Sequence, residues 1–492
     1  MKDSTRSDRL AFHIANNTLA FIGGNFVYHL INFFVGILIA RSLGTERYGQ
    51  FSFIFVYLSF FEVFVQFGFN SIVVREITQK TKEEAAKVLG NAILLRFVLI
   101  GLVLPPALVL IRLMHYPLTV QTGVLFASFQ LFLTTRSLYE TIFRAQLIMI
   151  YPAVWNGMRA LLNLILVLGL VWTRPTVVFF ILANVLSGAA TAVGLAVSSR
   201  RFLPINWQWD GKLMLRLLKE SAPMMLSGYL TLLYYRIDVV MLSAMKGFAD
   251  VGYYSVATRF TESLDILATS LMISVFPLVS HSFKENRVEF DRLLSKTMRG
   301  LLLVGFPMAV GGTLVARDLI QLFFGAAYAP SSTALVILFW YTFFGFFSTF
   351  LVNLLVACGR QVVDVWISLL MVLGNIAMNL GLIPFWSFNG AALATVLTEV
   401  LGSSVMWLYA VRDPTIRLSL SRGDLTPALK VNLIFFAFLL TVRFFVPLPV
   451  VVFVLLGIAA YAFLLLGTKV ISLQDVKNYL AHGLKVMPEE RS

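Results

Sequence analysis

Residues 40–53 read ARSLGTERYGQFSF, and 203 positions further on residues 243–256 read SAMKGFADVGYYSV. Gly44 answers Gly247, Gly49 answers Gly252, Ser52 answers Ser255 and Glu62 answers Asp265, all at that one offset. Each copy is a polar turn punctuated by glycine and followed by an apolar run long enough to cross a bilayer as a helix. Arg144 then answers Arg360 and Asn163 answers Asn379 at an offset of 216, so the second copy carries about thirteen extra residues, near the basic stretch 283–299. A repeat of this length in an apolar chain points to a transporter built from two related halves. Six apolar runs separate the copies. An even number keeps both halves in the same sense across the membrane, related by an axis along its normal.

Composition agrees. Of the 492 residues 59% are hydrophobic and 13% charged, with a mean hydropathy of +0.84. Soluble proteins carry about 25% charged residues, so too few are present to cover several globular cores. That excludes a secreted domain, a cytosolic enzyme and a DNA-binding domain. The excess of 39 Lys and Arg over 25 Asp and Glu, a net +14, lies mostly between apolar runs and is no footprint of nucleic acid. The single cysteine, Cys358, excludes an internal disulfide framework and a cysteine-based metal site. The five histidines, His13, His29, His115, His281 and His482, show no metal-ligand spacing.

Fourteen spans can be marked off, at 16–40, 51–74, 89–113, 117–139, 151–172, 176–198 and 222–245, then 251–280, 298–323, 331–357, 362–385, 390–410, 427–446 and 448–468. The expected fold is an all-α integral membrane protein. Alternate connections differ in charge: 27 of the 39 basic residues fall on one side, seven on the other and five inside spans. Lys and Arg in short loops stay in the cytoplasm, which puts both termini there. The first run is too long for a cleavable signal, and the pattern continues past Ala40. Three basic stretches, 207–220, 283–299 and 473–485, mix apolar residues with Lys and Arg, as helices lying in the inner-leaflet interface would. The expected organisation is an N-lobe over 1–198, an interfacial linker over 199–221, a C-lobe over 222–410, and two further spans with a cytoplasmic tail over 411–492.

The segments IARSLGTERYGQFS, FGFNSIVVREI, YRIDVVMLSAMKGFADVGYYSVATRFTESL and GNIAMNLGLIPFWSFNGAALATVLTE sample both halves. On them the chain resembles the Wzx-like O-antigen and polysaccharide flippases of the multidrug/oligosaccharidyl-lipid/polysaccharide exporter superfamily. The resemblance implies two six-helix lobes facing each other in a V, two extra C-terminal helices, and alternating access. It also implies a substrate, an undecaprenyl-pyrophosphate-linked oligosaccharide moved from inner to outer leaflet for cell-surface polysaccharide, and a place in the bacterial cytoplasmic membrane beside polysaccharide polymerase and glycosyltransferases. The Ile383-Pro384 and 389–392 signature has no clear counterpart between Leu170 and Pro175.

Twelve ionisable residues fall inside spans: Arg96, Arg136, Arg159, Arg236 and Arg259, with Glu62, Glu140, Asp238, Glu262, Asp265, Asp364 and Glu399. Each costs about 2.5–3.5 kcal/mol on insertion scales, so such residues face a cavity or a partner. Arginine suits a lipid diphosphate, because its planar fork binds phosphate oxygens bidentately and keeps its proton. Arg236, Arg259, Arg96 and Arg159 are therefore the candidate pyrophosphate-binding cations, and Arg136 with Glu140, four residues apart, reads as an intrahelical ion pair. No GxxxxGK[ST] loop supplies ATP chemistry, which leaves Glu62, Asp238, Asp265 and Glu399 as candidates for H⁺ or Na⁺ coupling, or as counter-charges to the arginines. No cofactor is called for. Two other functions remain: a drug/cation antiporter of the same superfamily, and a membrane glycan polymerase or ligase. The first is disfavoured by five intramembrane arginines, the second by outer loops too short for a catalytic site.

Overall fold

In a computed structural model the described residues are 2–173, 175–418, 422–468 and 470. Every described element is an α-helix apart from one 3₁₀ turn at Ala326–Tyr328. Among the described residues twelve helical segments are long and apolar enough to cross a membrane. Two of them are about twice the necessary length: Val27–Gln79 has 53 residues and Gln361–Arg412 has 52. Each is broken inside. At Gly44 the backbone takes φ 74°, and at Ser387 φ 48°, and each break falls between two of the apolar runs marked off in the sequence. The basic stretch 473–485 lies outside the described residues.

The chain forms two compact units, Met1–Ser255 and Val256–Ser492. The first comprises α1 (Lys2–Gln66), α2 (Phe69–Gln79), α3 (Lys82–Leu113), α4 (Leu118–Ala127), α5 (Phe129–Leu133), α6 (Arg136–Ala145), α7 (Ile150–Thr173), α8 (Val177–Ser199), α9 (Gly211–Met245) and the opening turns of α10 (Phe248–Glu285). Thr81 starts α3 with a capping box, its hydroxyl accepting from the Glu84 amide while the Glu84 carboxylate accepts from the Thr81 amide. Phe69, Ile93, Leu138, Ile142 and Leu217 bury one apolar seam among α2, α3, α6 and α9. Glu76 on α2 sits on that seam and draws in Arg216 at 2.9 Å and Lys80 at 3.0 Å, while Arg75 pairs with Glu220.

The basic segment ahead of α9 is not a separate interfacial helix. Helix α9 starts at Gly211, where Asp210 accepts from the Leu213 amide at 3.0 Å, and runs unbroken to Met245 through the stretch expected to lie flat. Side-chain bonds from α3 to the linker explain its course: Asn91 on α3 donates to Gln208 O and accepts from the Asp210 amide, both at 2.8 Å, and Lys87 pairs with Asp210 at 2.9 Å. Hydrogen bonds from Lys87 and the Leu213 amide hold the Asp210 carboxyl below the usual range. The stretch 283–299 is likewise divided between the end of α10 and the start of the next helix, with Asn286 capping that start.

The second unit holds the rest of α10, then α11 (Arg287–Phe324), α12 (Ser331–Ala357), α13 (Gln361–Arg412), α14 (Arg422–Phe445) and α15 (Val450–Gly467). Helices α14 and α15 are stapled to α11 by polar groups: Asn432 Nδ2 donates to Leu302 O at 3.0 Å, and the Tyr461 hydroxyl donates to Leu303 O at 2.7 Å and to Asn432 Oδ1 at 2.8 Å. A hydrogen bond in a setting that lacks water avoids the larger cost of an unpaired polar group, which fixes where these helices dock.

Candidate functional site

The charged residues of the first unit's spans converge. Helix α1 ends at Gln66, and the chain turns through Phe67 (φ 47°) and Gly68 (φ 74°) before α2. A second interruption, at Thr134 and Thr135, separates α5 from α6. Arg96 on α3 bridges the two breaks. Fully buried, it donates to Thr134 O at 2.7 Å and the Ser137 hydroxyl at 2.8 Å with one nitrogen, and to Gln66 O at 3.4 Å and Asn70 Oδ1 at 3.5 Å with the other. Carbonyls at helix ends lack intrahelical partners; Arg96 supplies one to Gln66 O where water cannot, and shares Thr134 O with Ser137.

One turn before the break, Glu62 accepts from Gln66 Nε2 at 2.6 Å. The cations whose charge bears on Glu62 are Arg136, Arg159 and Arg96. Arg159 on α7 donates to Asn184 Oδ1 on α8 at 3.3 Å, and Gln130 donates to the same oxygen at 2.6 Å. Gly188 lets α8 pack against Leu133, since a Cβ there would stand 2.9 Å from its Cδ1. Arg136 on α6 lies 3.5 Å from Asn156 Oδ1 on α7. Glu140 pairs with Arg144, at 3.8 Å, rather than with Arg136 as the spacing suggested. Arg136 and Arg159 are thus steered by neutral amides and keep most of their five donors available. Together Arg96, Arg136 and Arg159 outnumber Glu62 by two charges in an apolar surround.

Arg236 and Asp238 lie on α9. Asp238 is 3% exposed, accepts from the Tyr254 hydroxyl on α10, and turns its other oxygen to the Val239 amide at 2.7 Å. Tyr254, with no charge to mark it, escaped the sequence reading, as did Asn70, Gln130, Ser137, Asn156 and Asn184. Single Asn and Gln residues inside apolar runs were the available signal. In the second unit Arg259, Glu262 and Asp265 share α10, and Asp265 lies within electrostatic reach of Glu262 and of Glu399, a 4% exposed residue on α13. The second unit also contains an apolar groove of about 830 Å³ among α10, α11, α14 and α15, lined by Leu264, Pro307, Met308, Leu439, Gly457 and Tyr461. Among the described residues no group of His, Cys, Asp and Glu could hold a metal ion.

These features define an all-helical membrane protein with a cluster of arginines among its spans and an apolar groove. Residues 14–283, more than half of the chain, match the family model described as "Polysaccharide biosynthesis protein", and residues 223–380 match that described as MatE. The chain belongs to the polysaccharide biosynthesis protein family, within the multidrug/oligosaccharidyl-lipid/polysaccharide exporter superfamily. It is 27% identical over 263 residues to the "Probable flippase AglR" of Haloferax volcanii, covering 51% of this chain and 54% of that one. It is 24% identical over 416 residues to the "Putative O-antigen transporter" of Escherichia coli (strain K12), covering 79% and 93%. The chain thus spans about half the length of AglR and most of the Escherichia protein. Among solved structures it is similar to the lipid II flippase MurJ in an inward closed conformation, with TM-score 0.75, 16% identity, and 91% and 98% of the two chains covered. A multidrug resistance MATE transporter in an inward-facing conformation gives TM-score 0.64, 17% identity, and 78% and 93% coverage. At these identities the structures speak for the fold.

Proposed function

We propose that this protein is a flippase that carries an undecaprenyl-pyrophosphate-linked oligosaccharide from the inner to the outer leaflet of the bacterial cytoplasmic membrane, for cell-surface polysaccharide. The observation that carries the reading is the first unit's cluster, in which the charges of Arg96, Arg136 and Arg159 bear on Glu62 while the neighbouring Glu140 is taken by Arg144. A diphosphate diester brings two negative charges, equal to the surplus. Arg159 and Arg136 would grip the phosphate oxygens, while Arg96, already spent on backbone and side-chain oxygens, would hold the helix breaks that shape the pocket. Arg236 and Arg259 are proposed to serve later positions of the same headgroup.

The apolar groove of the second unit suits a polyprenyl tail, because a chain of that kind gains by leaving water yet needs no polar partner. On this reading the breaks at Gly44 and Ser387 divide the two long helices into four spans, making fourteen, arranged as two six-helix lobes in a V with two C-terminal helices and both termini cytoplasmic. The lobes would run over 1–198 and 222–410, joined by the linker at 199–221, and exchange access between the two faces. Asp238, Asp265 and Glu399 are proposed to couple that exchange to H⁺ or Na⁺. The partners are then the lipid-linked glycan, the bilayer, and the polymerase and glycosyltransferases that handle the same glycan; no catalytic step belongs to this chain. The test is reconstitution of the full chain in vesicles loaded on one side with a labelled lipid-linked oligosaccharide. Protein-dependent arrival on the opposite side is expected. Export of a cationic drug without movement of the lipid would establish the second reading, a drug/cation antiporter, which the MatE match over 223–380 favours.

A further inference from the structure

The first unit's arginine cluster contains its own anion. Glu62 on α1 lies within electrostatic reach of three arginines contributed by α3, α6 and α7, yet among the described residues the partner it bonds is the neutral Gln66 amide, one turn further along its own helix, at 2.6 Å. The arginines, for their part, are steered by oxygens other than Glu62: Arg159 by Asn184, Arg136 by Asn156, Arg96 by Thr134, Ser137, Gln66 and Asn70. The remaining acid near the group, Glu140, is engaged with Arg144. A carboxylate that served only to neutralise an arginine would be expected in direct contact with it, since the gain from pairing falls with distance. Gln66 instead holds Glu62 as a fixed charge in the same field, separate from the guanidinium forks.

We infer that Glu62 is a tethered competitor anion, which weakens the pocket's hold on a diphosphate so that the headgroup is released rather than trapped. The inference rests on the reading of this pocket as the diphosphate site. Its physical basis is differential binding: three uncompensated arginines around a dianion would hold it too tightly to let go, and a fixed opposing charge lifts the bound state without blocking entry. Affinity and transport should therefore respond in opposite directions when the charge is removed. A residue needed only for folding would lower both.

The experiment uses the full chain in lipid nanodiscs, with inorganic pyrophosphate as the probe for binding and the vesicle assay for transport. Glu62→Gln, which removes the charge and keeps the shape, is expected to bind pyrophosphate more tightly by about tenfold or more, tenfold being the effect of one opposing charge about 12 Å away at an effective dielectric of about 20, and to flip more slowly. Glu62→Asp, which keeps the charge, is expected to bind within about threefold of the parent on the same scale, and serves if the glutamine variant does not fold. Arg159→Ala should lose pyrophosphate binding. Binding in Glu62→Gln that is unchanged or weaker, with the parent still binding, overturns the inference alone, as does a tightening of tenfold in Glu62→Asp. Absence of binding in the parent overturns the reading of the pocket, and the inference with it.

Discussion

Gly49 and Gly252 lie against each other's helices in a reciprocal contact. A Cβ on Gly49 would run into the carbonyl of Phe248 and the amide of Gly252, and a Cβ on Gly252 would run into the carbonyl of Thr45 and touch the amide of Gly49 at 3.4 Å. Thr45 and Phe248 are themselves partners at the 203-residue offset, so each copy of the motif presents the same atoms to the other. A two-fold axis through the contact produces this pattern. The turns that feed it, at Gly44 (φ 74°) and Gly247 (φ 97°), both use backbone that other residues adopt at a cost.

Substitution at either glycine should therefore have nearly the same effect. Gly49→Val and Gly252→Val each force two backbones apart, where overpacking costs about 1–3 kcal/mol or more. A comparable drop in the thermal midpoint is expected for the two variants in detergent. A large drop in one with none in the other would break the equivalence.

Arg96, buried, and Arg159, half-buried, part company under mutation. Arg96→Met removes the donor to Gln66 O and one of the donors to Thr134 O, which keeps Ser137, and a buried group left unpaired costs about 1–3 kcal/mol, so the protein should lose stability and abundance. Arg159→Ala leaves Asn184 still bonded to Gln130 and should keep a near-parental midpoint while surface glycan is lost. Arg159→Lys should recover only part, since an ammonium lacks the bidentate fork. Glycan display at full level in Arg159→Ala, measured beside its midpoint, would remove this residue from the transport path.

How much of this could be read beforehand depends on the kind of signal. The span pattern and the glycine pairs were legible because hydropathy and φ > 0 leave marks on single positions. The pocket was half legible. Arg96 and Arg159 stand out as charges in apolar runs, but which of them is spent on backbone depends on helix breaks at Phe67 and Thr134 that no glycine-proline signature announces on the second helix. Arg136 was assigned to Glu140 by spacing alone, and the competing Arg144, also four away from Glu140, took it. The basic stretch before α9 looked amphipathic, yet the cap at Asp210 and the bonds to Asn91 carry it into a spanning helix.

On the second unit's polar surface Asp413 ties three segments together. It accepts from Arg360 Nε at 2.9 Å and from the Thr415 and Ile416 amides at 2.8 and 3.2 Å. Burial pushes its carboxyl up, but the bonds from Thr415 and Arg360 outweigh it and hold the group well below the usual carboxylate range. A folded value under the unfolded one means stability that is fully present above about pH 4 and lost as pH falls toward the folded value. The midpoint of the parent should therefore fall more steeply below pH 4 than that of Asp413→Asn, which should start less stable at pH 7 by about 1–3 kcal/mol and so with a lower midpoint. Parallel curves would deny Asp413 this role.

The groove among α10, α11, α14 and α15 offers a test that leaves the charges alone. Gly457 lines it, with Leu439 the nearest side chain to a Cβ placed there, at 3.4 Å. Gly457→Phe should fill part of the 830 Å³ with a ring, cut flipping of a long-chain lipid several-fold, and leave pyrophosphate binding in the first unit unchanged. Equal flipping of long- and short-chain substrates by parent and variant alike would show that the groove does not seat the tail.

Coupling is the step that the second unit's acids can answer. Asp265 feels Glu262 from its own helix and Glu399 from α13, so a cation or proton arriving there relieves repulsion among three carboxyl groups as well as neutralising one. Removing one member changes that balance. Asp265→Asn is expected to blunt the response of flipping to an imposed pH or Na⁺ gradient, and Glu399→Gln to do so in the same direction, because each leaves a less crowded acid pair with less reason to take up a cation. Vesicles with the gradient clamped at several values read this directly, as the slope of rate against gradient. A slope identical to the parent's in both variants would make these acids static counter-charges to Arg259, with the driving force entering elsewhere.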